Sequence, residues 1–349
     1  MKKIKVGVLG ATGMVGQRFI ELLHNHPWFE LSELGASERS AGKSYGEAVE
    51  GRWKQDNPIP KGIADLEVKD CKPGLDCKIV FGAMDRSIAG PIEEEFALAG
   101  YAVVTNSKNH RMIGDVPLLI PEVNAGHLEI LKKQKERFGD GLIVTNPNCS
   151  TIGMVLALAP LHKQFGISKI MVTTMQAVSG AGYPGVPSLD VLDNVIPNIG
   201  GEEEKMETES LKILGTLENN QFKNAEIKIS ADCNRVAVKD GHLESISIEL
   251  KEKATKEQLV ESFKNFNPLK GLNLPTAPDP PIVLREEEDR PQPRQDRNEG
   301  KGMAAVIGRI RECNVLDWKL NALSHNTIRG AAGASILNAE LLAVKGHLK

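Results

Sequence analysis

Short apolar runs alternate with longer amphipathic stretches through the first part of the chain. Residues 4–9 form a compact apolar run that predicts a buried strand, and residues 14–24 have the apolar spacing of a helix. The same alternation continues downstream, predicting a helix at 89–98 and strands at 31–36, 79–83, 102–106, 118–121 and 142–145. Short β-branched runs that alternate with helices are typical of a parallel sheet covered by helices. The first part therefore predicts an α/β domain.

The pattern changes character beyond residue 149. Residues 151–161 predict the start of an apolar helix, whereas residues 243–250 alternate apolar and polar side chains, as a half-buried antiparallel strand does. Further strands are predicted at 170–176, 227–229, 236–238 and 304–311. Proline and charged residues dominate 275–302, which is predicted to be loop. Strands with few helices between them indicate an α+β domain with a mixed or antiparallel sheet. Residues 326–343 return to a helical pattern.

Composition and charge narrow the function classes. The 349 residues include 43 Lys plus Arg and 46 Asp plus Glu, a net charge of -3, which argues against nucleic acid as the main partner. No apolar run approaches the roughly 20 residues of a membrane span, and the basic, apolar N-terminus is too short to be a signal peptide. Five cysteines without a CxxC pair and eight histidines without an HExxH spacing indicate neither a disulfide framework nor a metal site. We therefore expect a reducing cytoplasm and no metal.

Four glycines join the first predicted strand to the first predicted helix. They stand at positions 7, 10, 13 and 16 in Val-Gly-Val-Leu-Gly-Ala-Thr-Gly-Met-Val-Gly. In this context, glycines permit a tight turn, bring the backbone close to a pyrophosphate and direct helix N–H groups at it. The spacing predicts a dinucleotide-binding loop, and the alternative is a tight strand-to-helix turn without a ligand. The residues expected to contact the cofactor are Gly10, Thr12, Gly13, Met14 and Val15.

The end of the second predicted strand distinguishes between the two nicotinamide cofactors. Its sequence is Gly-Ala-Ser-Glu-Arg-Ser over residues 35–40, with Lys43 close by. An acid there suits the ribose hydroxyls of NAD, whereas hydroxyl groups and a guanidinium suit the 2′-phosphate of NADP. Glu38 argues for NAD, but Arg39 stands beside it, so we expect NADP. The expected contacts of the 2′-phosphate are Ser37, Arg39 and Ser40.

One cysteine lies between a predicted strand and the apolar helix. In the sequence Asn-Pro-Asn-Cys-Ser-Thr over residues 146–151, Cys149 stands at the helix start, where N–H groups are unpaired and the helix dipole is positive. That position favours the thiolate, which is the nucleophilic form, and the first amides of the helix are expected to hold an oxyanion beside the sulfur. The alternative is a buried, inert cysteine, which is the usual state of a free thiol.

Three segments together resemble the aspartate-semialdehyde dehydrogenase family. They are residues 10–16 (GATGMVG), residues 147–151 (PNCST) and residues 235–242 (RVAVKDGH), and the resemblance extends over nearly the whole chain. The PNCST form is similar to the branch found in archaea and fungi. N-acetylglutamyl-phosphate reductases usually have a PGCY-type sequence at this cysteine, and glyceraldehyde-phosphate dehydrogenases usually have SCTTN.

The resemblance implies a two-domain architecture in the α/β class. Residues 1–148, completed by a C-terminal helix at 326–349, are expected to form a Rossmann-type doubly wound domain that binds NADP(H). Residues 149–325 are expected to form an α+β catalytic and dimerisation domain with a mixed sheet. The family expectation is a homodimer, or a homotetramer, that contacts itself through the sheet of the second domain.

The resemblance also implies the reaction. It is the NADPH-dependent reductive dephosphorylation of L-aspartyl-4-phosphate to L-aspartate 4-semialdehyde and phosphate, on the route to lysine, threonine and methionine. A thioester intermediate divides the reaction into two easier steps. Cys149 matches the thiol nucleophile of the family, His242 matches its general acid/base, and Gln176 matches the glutamine that orients the acyl intermediate.

Further matched residues suit the charges of that substrate. Arg235 would grip the α-carboxylate, and Arg111 and Lys205 would bind the phosphate. A glutamate of the 202–204 run, placed on Glu202, would meet the ammonium. The positions matched near the nicotinamide end of the cofactor are Ser179, Gly180 and Asn326.

Two other functions remain open at this point. Malonyl-CoA reductase, or another thioester-forming acyl reductase on the same scaffold, would keep Cys149 and His242 without needing groups for an ammonium and a phosphate. Arg111, Lys205 and the glutamate run favour the phosphate substrate. A non-catalytic NADP-binding redox sensor would keep the glycine loop and a reactive thiol, but it has no need for the remaining catalytic residues in this order.

Overall fold

The first sheet is entirely parallel. The structure is a computed structural model that describes residues 3–348. The strands of its first sheet are β1 (Ile4–Leu9), β2 (Phe29–Ala36), β3 (Val68–Asp70), β4 (Ile79–Gly82), β5 (Ala102–Thr105) and β6 (Leu142–Thr145). The accompanying helices are α1 (Met14–Leu23), α2 (Tyr45–Ala48), α3 (Arg86–Leu98), α4 (Pro121–Asn124) and α5 (Leu131–Phe138). The strand order β3-β2-β1-β4-β5-β6 is that of a doubly wound dinucleotide-binding sheet, so the predicted Rossmann-type fold is confirmed.

The second sheet is mixed, as predicted. Its strands lie in the order β10-β7-β11-β14-β13-β12, with the β7–β10 and β12–β13 pairs parallel and the others antiparallel. The strands are β7 (Ile167–Gln176), β10 (Lys228–Arg235), β11 (His242–Leu250), β12 (Ile282–Arg285), β13 (Ala305–Glu312) and β14 (Trp318–Ser324), and a separate hairpin joins β8 (Thr216–Glu218) to β9 (Gln221–Lys223). The helices are α6 (Cys149–Phe165), α7 (Ser188–Val191), α8 (Glu202–Ile213), α9 (Lys256–Asn265), α10 (Pro293–Asp296) and α11 (Gly333–Val344).

Helix α6 forms the buried centre of the second half. It is apolar on nearly all sides and packs in one core with Val172, Ile246 and Leu320 of the sheet, as such a helix is expected to do. Asn148 caps its start, three residues after β6 ends, so Cys149 lies at the carboxyl edge of the first sheet. Of the helices formed by residues 3–348, α6 included, none has the length and apolar character needed to cross a bilayer.

The chain returns to the first sheet at its C-terminal end. A π-helical turn over Ile328–Ala332 leads into α11, whose Ile336 and Leu341 lie in the same core as Val8 and Phe81. This is the packing expected if a C-terminal helix completes the first domain. The division into 1–148 and 149–325 itself stays a prediction.

Two predicted strands do not form. In the 118–121 segment, Leu118 makes one isolated bridge to Thr145, and Pro121 starts α4 because proline has no N–H to continue a ladder. In the 236–238 segment, the chain has already left the sheet. Strand β10 and its parallel partner β7 end together at the Arg235–Gln176 pair, so no neighbouring strand is present beyond it.

Two elements of the second sheet were not predicted. The 275–302 stretch is not loop throughout, because β12 lies within it and pairs with β13 at the edge of the sheet, where flanking prolines are tolerated. Strand β14 lies inside the sheet between β11 and β13. Residues 318–322 alternate buried apolar and half-buried polar positions, which is the pattern of a strand, so the sequence carried a signal that the prediction missed.

Candidate active site

A cleft opens at the carboxyl ends of the first sheet. One cavity of about 530 Å³ lies over the start of α6, and another of about 610 Å³ lies over the glycine loop. Ala83, Met84 and Asp85 line both cavities, so the two form one continuous cleft at the edge where doubly wound sheets bind ligands. The predicted site residues that line the first cavity are Met14, Val15, Arg111, Cys149, Gln176, Ser179, Gly180, Glu202, Lys205, Arg235 and Asn326.

The side chain of Asn148 organises the first turn of α6. Its Oδ1 accepts hydrogen bonds from the N–H groups of Ser150, at 3.0 Å, and Thr151, at 3.2 Å. These two amides are therefore occupied by the cap, whereas the sequence pattern assigned them to an oxyanion. The N–H of Cys149 itself is the remaining candidate donor in this turn, and it stands closest to the sulfur.

The thiol of Cys149 contacts the ring of His242, which is completely buried at the start of β11. The Sγ–Nε2 distance is 3.2 Å, and the N–H of Ala177 donates to Nδ1 at 3.0 Å. Because Nδ1 accepts, the geometry assigns the proton of the neutral ring to Nε2, facing the sulfur. Burial lowers the pKa of His242 to about 3, and the nearby positive charge of Arg235 adds to the effect. The ring is thus neutral and donates towards Cys149.

The pKa of Cys149 differs from the sequence expectation. Burial, together with the carboxylate of Glu202, raises this pKa to about 12, while the positive charges of Arg111, Arg235 and Lys205 oppose the increase. The helix start favours the thiolate, but the loss of hydration outweighs that effect. The cations around the sulfur are the groups that counter it.

Gln176 and Arg235 lie side by side at the ends of two paired strands. They are the last partners in the parallel β7–β10 ladder, which places both side chains over the start of α6. Gln176 is buried and its Nε2 donates to Thr174 Oγ1 at 3.3 Å, whereas Arg235 Nη1 donates to the carbonyl of Ala177 at 2.6 Å. Gly180 completes the group, because a Cβ there would lie 2.9 Å from Arg235 Nη1.

Helix α8 brings to the cleft the residues that are predicted to bind the ammonium and the phosphate of the substrate. Glu202 accepts from Lys205 Nζ at 2.6 Å and from the Asn148 side chain at 2.7 Å. Glu203 instead accepts from the N–H of Cys233, and Glu204 is exposed, so Glu202 is the member of the acidic run that faces the cavity.

Arg111 lies beside these residues and is largely buried. Its Nη1 donates to Glu209 at 2.8 Å and its Nη2 donates to the carbonyl of Asn106 at 2.7 Å. Sequence reasoning missed Glu209, and it also missed Lys212 and Asn148, which hold the same region together. A signal was present, because Glu202, Lys205, Glu209 and Lys212 are spaced three and four residues apart and so share one helix face.

The glycine loop fits a dinucleotide. Gly10 has a φ of 82°, and a Cβ there would lie 2.5 Å from the carbonyl of Ala83, so only glycine permits this close turn. Gly13 caps α1 without a side-chain hydrogen bond, which leaves the first amides of that helix for an anion. The predicted cofactor residues that line the second cavity are Gly10, Thr12, Gly13, Ser37 and Arg39.

The residues that line the cleft differ in part from those predicted to bind the cofactor. Ser40 is buried in the turn after β2, where its N–H donates to the carbonyl of Ser37, and it lines neither cavity. Asn326 does reach the cleft, where its Nδ2 donates to Ser179 Oγ at 2.8 Å. Lys72 and Arg86 line the cleft without having been predicted, since single basic residues in loops carry no sequence signal of their own.

Two family models match the chain and together span most of it. Residues 5–131 match the semialdehyde dehydrogenase NAD binding domain, and residues 158–329 match the semialdehyde dehydrogenase dimerisation domain. The second match indicates a homo-oligomer, and both agree with the two sheets described above.

Proteins of the same family are similar over nearly the full length. The aspartate-semialdehyde dehydrogenase of Archaeoglobus fulgidus is 51% identical, covering 97% of this chain and 98% of the relative, and that of Saccharomyces cerevisiae is 48% identical, covering 99% and 98%. The crystal structure of the Candida albicans enzyme with NADP superposes with a TM-score of 0.92 at 44% identity, covering 99% of this chain and 100% of the other. The chain belongs to the aspartate-semialdehyde dehydrogenase family.

Proposed function

We propose that this chain reduces L-aspartyl-4-phosphate to L-aspartate 4-semialdehyde and phosphate with NADPH, on the route to lysine, threonine and methionine. The observation that carries the proposal is that one thiol lies in a cleft whose charged side chains complement the charges of the substrate. Cys149 lies 3.2 Å from His242 in a cleft that also contains Arg111, Arg235 and Lys205. The same cleft continues into the cavity of the glycine loop.

Cys149 is the proposed nucleophile. The thiol first loses its proton to water in the open cleft. The thiolate then attacks the acyl carbon of the substrate, the bond to the phosphate oxygen breaks, and a thioester remains on sulfur. Negative charge develops on the acyl oxygen during this step, and the N–H of Cys149 is the donor at hand in the first turn of α6. Gln176 lines the same cavity as Cys149 and is the proposed residue that holds the acyl group.

His242 has two conceivable tasks beside the sulfur. Accepting a proton from the thiol would make the ring cationic, which burial and Arg235 oppose by lowering its pKa to about 3. Donating a hydrogen bond from Nε2 needs no second proton and stabilises the thiolate both before attack and after its release. The donor task is favoured by the present geometry, and the acid/base task stays a prediction.

The charged residues match the substrate group by group. Arg235 offers a planar guanidinium to the α-carboxylate, and Arg111 and Lys205 offer positive charge to the phosphate. Glu202 is the proposed partner of the ammonium, because it is the acidic residue of its run that faces the cavity. Its present partner, Lys205, would then be released towards the phosphate.

The cofactor site is assigned to the glycine loop and to the residues beyond β2. Gly10, Thr12 and Gly13 would hold the pyrophosphate, and Ser37 and Arg39 would hold the 2′-phosphate. NADPH supplies the hydride when it is bound. Ser179, Gly180 and Asn326 lie at the end of the cleft nearest Cys149, where we place the nicotinamide.

We further propose a homodimer formed through the second sheet. The face of β7 turned away from α6 exposes Met171, and the segment that follows this strand exposes Tyr183, Leu189 and Leu192. These exposed apolar side chains are candidates for the interface, because this half of the chain matches a dimerisation domain. A reducing cytoplasm is the proposed compartment, since the nucleophile has to remain a free thiol.

The proposal is tested by the reverse reaction. Wild type and Cys149→Ala are compared for reduction of NADP by aspartate semialdehyde, with and without phosphate. We expect turnover that requires phosphate and is absent from the variant. An inactive wild type that oxidises NADPH with malonyl-CoA would instead establish the related acyl reductase, in which Arg111 and Lys205 have no phosphate to bind.

A further inference from the structure

The inner face of α8, defined by Glu202, Lys205, Glu209 and Lys212, reaches two separate segments of the first sheet. Glu202 and Lys205 face the cavity, whereas Glu209 and Lys212 lie behind them and are only 2% and 3% exposed. Burying a carboxylate and an ammonium is costly unless each is fully bonded. The partners of these two residues therefore indicate what they are for.

Glu209 bonds with both of its oxygens. Oε1 accepts from Arg111 Nη1 at 2.8 Å, and Oε2 accepts from the backbone N–H of Asn148 at 2.7 Å. Arg111 belongs to the segment that follows β5, and Asn148 belongs to the segment that follows β6. The carboxylate of Glu209 thus joins Arg111, which is proposed to bind phosphate, to Asn148, which caps the helix of Cys149.

Lys212 anchors the same segment from the other side. Its ammonium donates to the carbonyls of Arg111, Ile113 and Val116 at 2.7, 2.9 and 2.8 Å, which uses all three of its protons. The backbone that carries Arg111 is therefore held in place, and the freedom that remains lies in the guanidinium. That group is shared between Glu209, a carbonyl and whatever anion enters the cleft.

We propose that Glu209 is a positioning residue that couples the phosphate subsite to the nucleophile. The inference rests on the proposed role of Arg111 in binding phosphate. Phosphate and Glu209 share one guanidinium, so an anion at Arg111 weakens its bond to Glu209. The carboxylate then holds the Asn148 N–H more strongly, and through the cap of α6 this changes the placement of Cys149. Phosphate occupancy and nucleophile geometry are linked by a single side chain.

The experiment separates the two half-reactions. Aspartate semialdehyde and NADP without phosphate give one burst of NADPH as the thioester forms on Cys149, and added phosphate then releases the acyl group. Burst rate, phosphate-dependent turnover and thermal unfolding are measured for wild type, Glu209→Gln, Glu209→Asp and Arg111→Gln. Glu204→Gln is the matched control, because it removes the same charge from the exposed side of the same helix.

A coupling residue affects both steps. We expect both Glu209 variants to lower the burst rate about 10-fold and the phosphate-dependent rate about 100-fold, the scale expected for misplaced reacting groups. Glu209→Asp keeps the charge but is too short to reach both partners, so it should fail to rescue. Arg111→Gln should lower the phosphate-dependent rate most and should also change the burst rate, because Glu209 loses the guanidinium that links the two steps. Adding Glu209→Gln to it should cause little further loss in either step.

Other outcomes contradict the coupling. A normal burst in both Glu209 variants, full rescue by Asp, or a lower KM for phosphate with unchanged kcat would mean that Glu209 contributes charge alone. A lower melting temperature with unchanged kinetics would mean a structural role only. A wild type without a burst would overturn the proposed function itself, and the inference with it.

Discussion

The two ends of the cleft are built in different ways. The pyrophosphate part of the cofactor end comes from one continuous stretch, in which β1, the glycine loop and α1 place Gly10 and the residues from Thr12 to Val15 beside the cleft. The catalytic end is assembled from separate segments after β5, at the start of α6, and on β7, α8, β10 and β11. The shape of a contiguous motif is set by its own backbone conformation. The properties of an assembled site depend instead on the residues that pack around it. Sequence reasoning therefore predicts the first in detail and the second only as a set of residues.

The electrostatics of Cys149 illustrate the difference. The local sequence places the thiol at a helix start, which favours the thiolate. The assembled environment raises its pKa to about 12 through burial. A pattern within six residues cannot report how much water the rest of the protein removes from one of them.

The largest expected effect concerns this thiol. Because the pKa of Cys149 is raised, only a small thiolate fraction is present near neutrality, and that fraction grows about tenfold per pH unit. Alkylation of Cys149 by iodoacetamide in the substrate-free protein should increase at that rate from pH 6 to 9 without reaching a plateau. Peptide mass spectrometry at each pH measures the rate.

Cys313 provides an internal control for that series. Hydrogen bonds from the backbone N–H groups of Leu316 and Val315 lower its pKa, so its alkylation should level off at a lower pH than that of Cys149. A plateau for Cys149 below pH 8 would mean that the helix start governs the thiol after all. The catalytic end would then be as locally determined as the cofactor end.

The next effect tests the cofactor end alone. Gly10→Ala introduces a Cβ 2.5 Å from the carbonyl of Ala83 at a φ of 82°, so the loop has to move away from the pyrophosphate position. We expect NADPH binding to weaken about 10- to 100-fold, which corresponds to a free-energy loss of about 1–3 kcal/mol. Fluorescence titration with NADPH measures the Kd.

Gly100→Ala is the control for backbone strain. Gly100 has a similar φ of 88°, and a Cβ there meets no atom within 4 Å, so it shares the strain without the contact. Cys149 alkylation should be unchanged in both variants. If Gly10→Ala also altered that alkylation, the two ends of the cleft would not be independent.

The smallest effect concerns a residue beneath the catalytic end. Glu244 lies on β11, two residues after His242, and within the described residues neither of its buried oxygens has a hydrogen-bond partner. Burial raises the pKa of Glu244 well above its usual value. The folded state therefore keeps a proton that the unfolded state loses first, and wild-type stability falls as the pH rises above the unfolded pKa.

Glu244→Gln removes that titration while keeping the shape. We expect the variant to exceed the wild type by about 1–3 kcal/mol in the free energy of unfolding at pH 8, with the difference shrinking towards pH 4 and with kcat unchanged. Urea unfolding at both pH values measures it. If the variant is instead less stable at pH 8, the Glu244 carboxylate is ionised in the folded protein and is held by a polar network.

The site itself was predictable only as far as its residue types. Arg111, Gln176, Arg235 and His242 were expected from a family resemblance, and all of them except His242 line the cleft. Glu209 and Lys212 were missed although their spacing on α8 was visible, because a charged helix face usually meets solvent. Only packing against the segments after β5 and β6 turns that face inward.

The sequence by itself determined the doubly wound sheet and the dinucleotide loop, and it placed a cysteine at the junction where we propose the nucleophile. Each depends on local requirements, namely alternating strand and helix patterns, a positive φ that only glycine adopts easily, and a cysteine at a strand-to-helix junction. Tertiary structure alone decided the neutral ring of His242 and the bonds of Glu209. These depend on neighbours distant in sequence, since desolvation, tautomer choice and hydrogen-bond sharing are properties of an assembled environment.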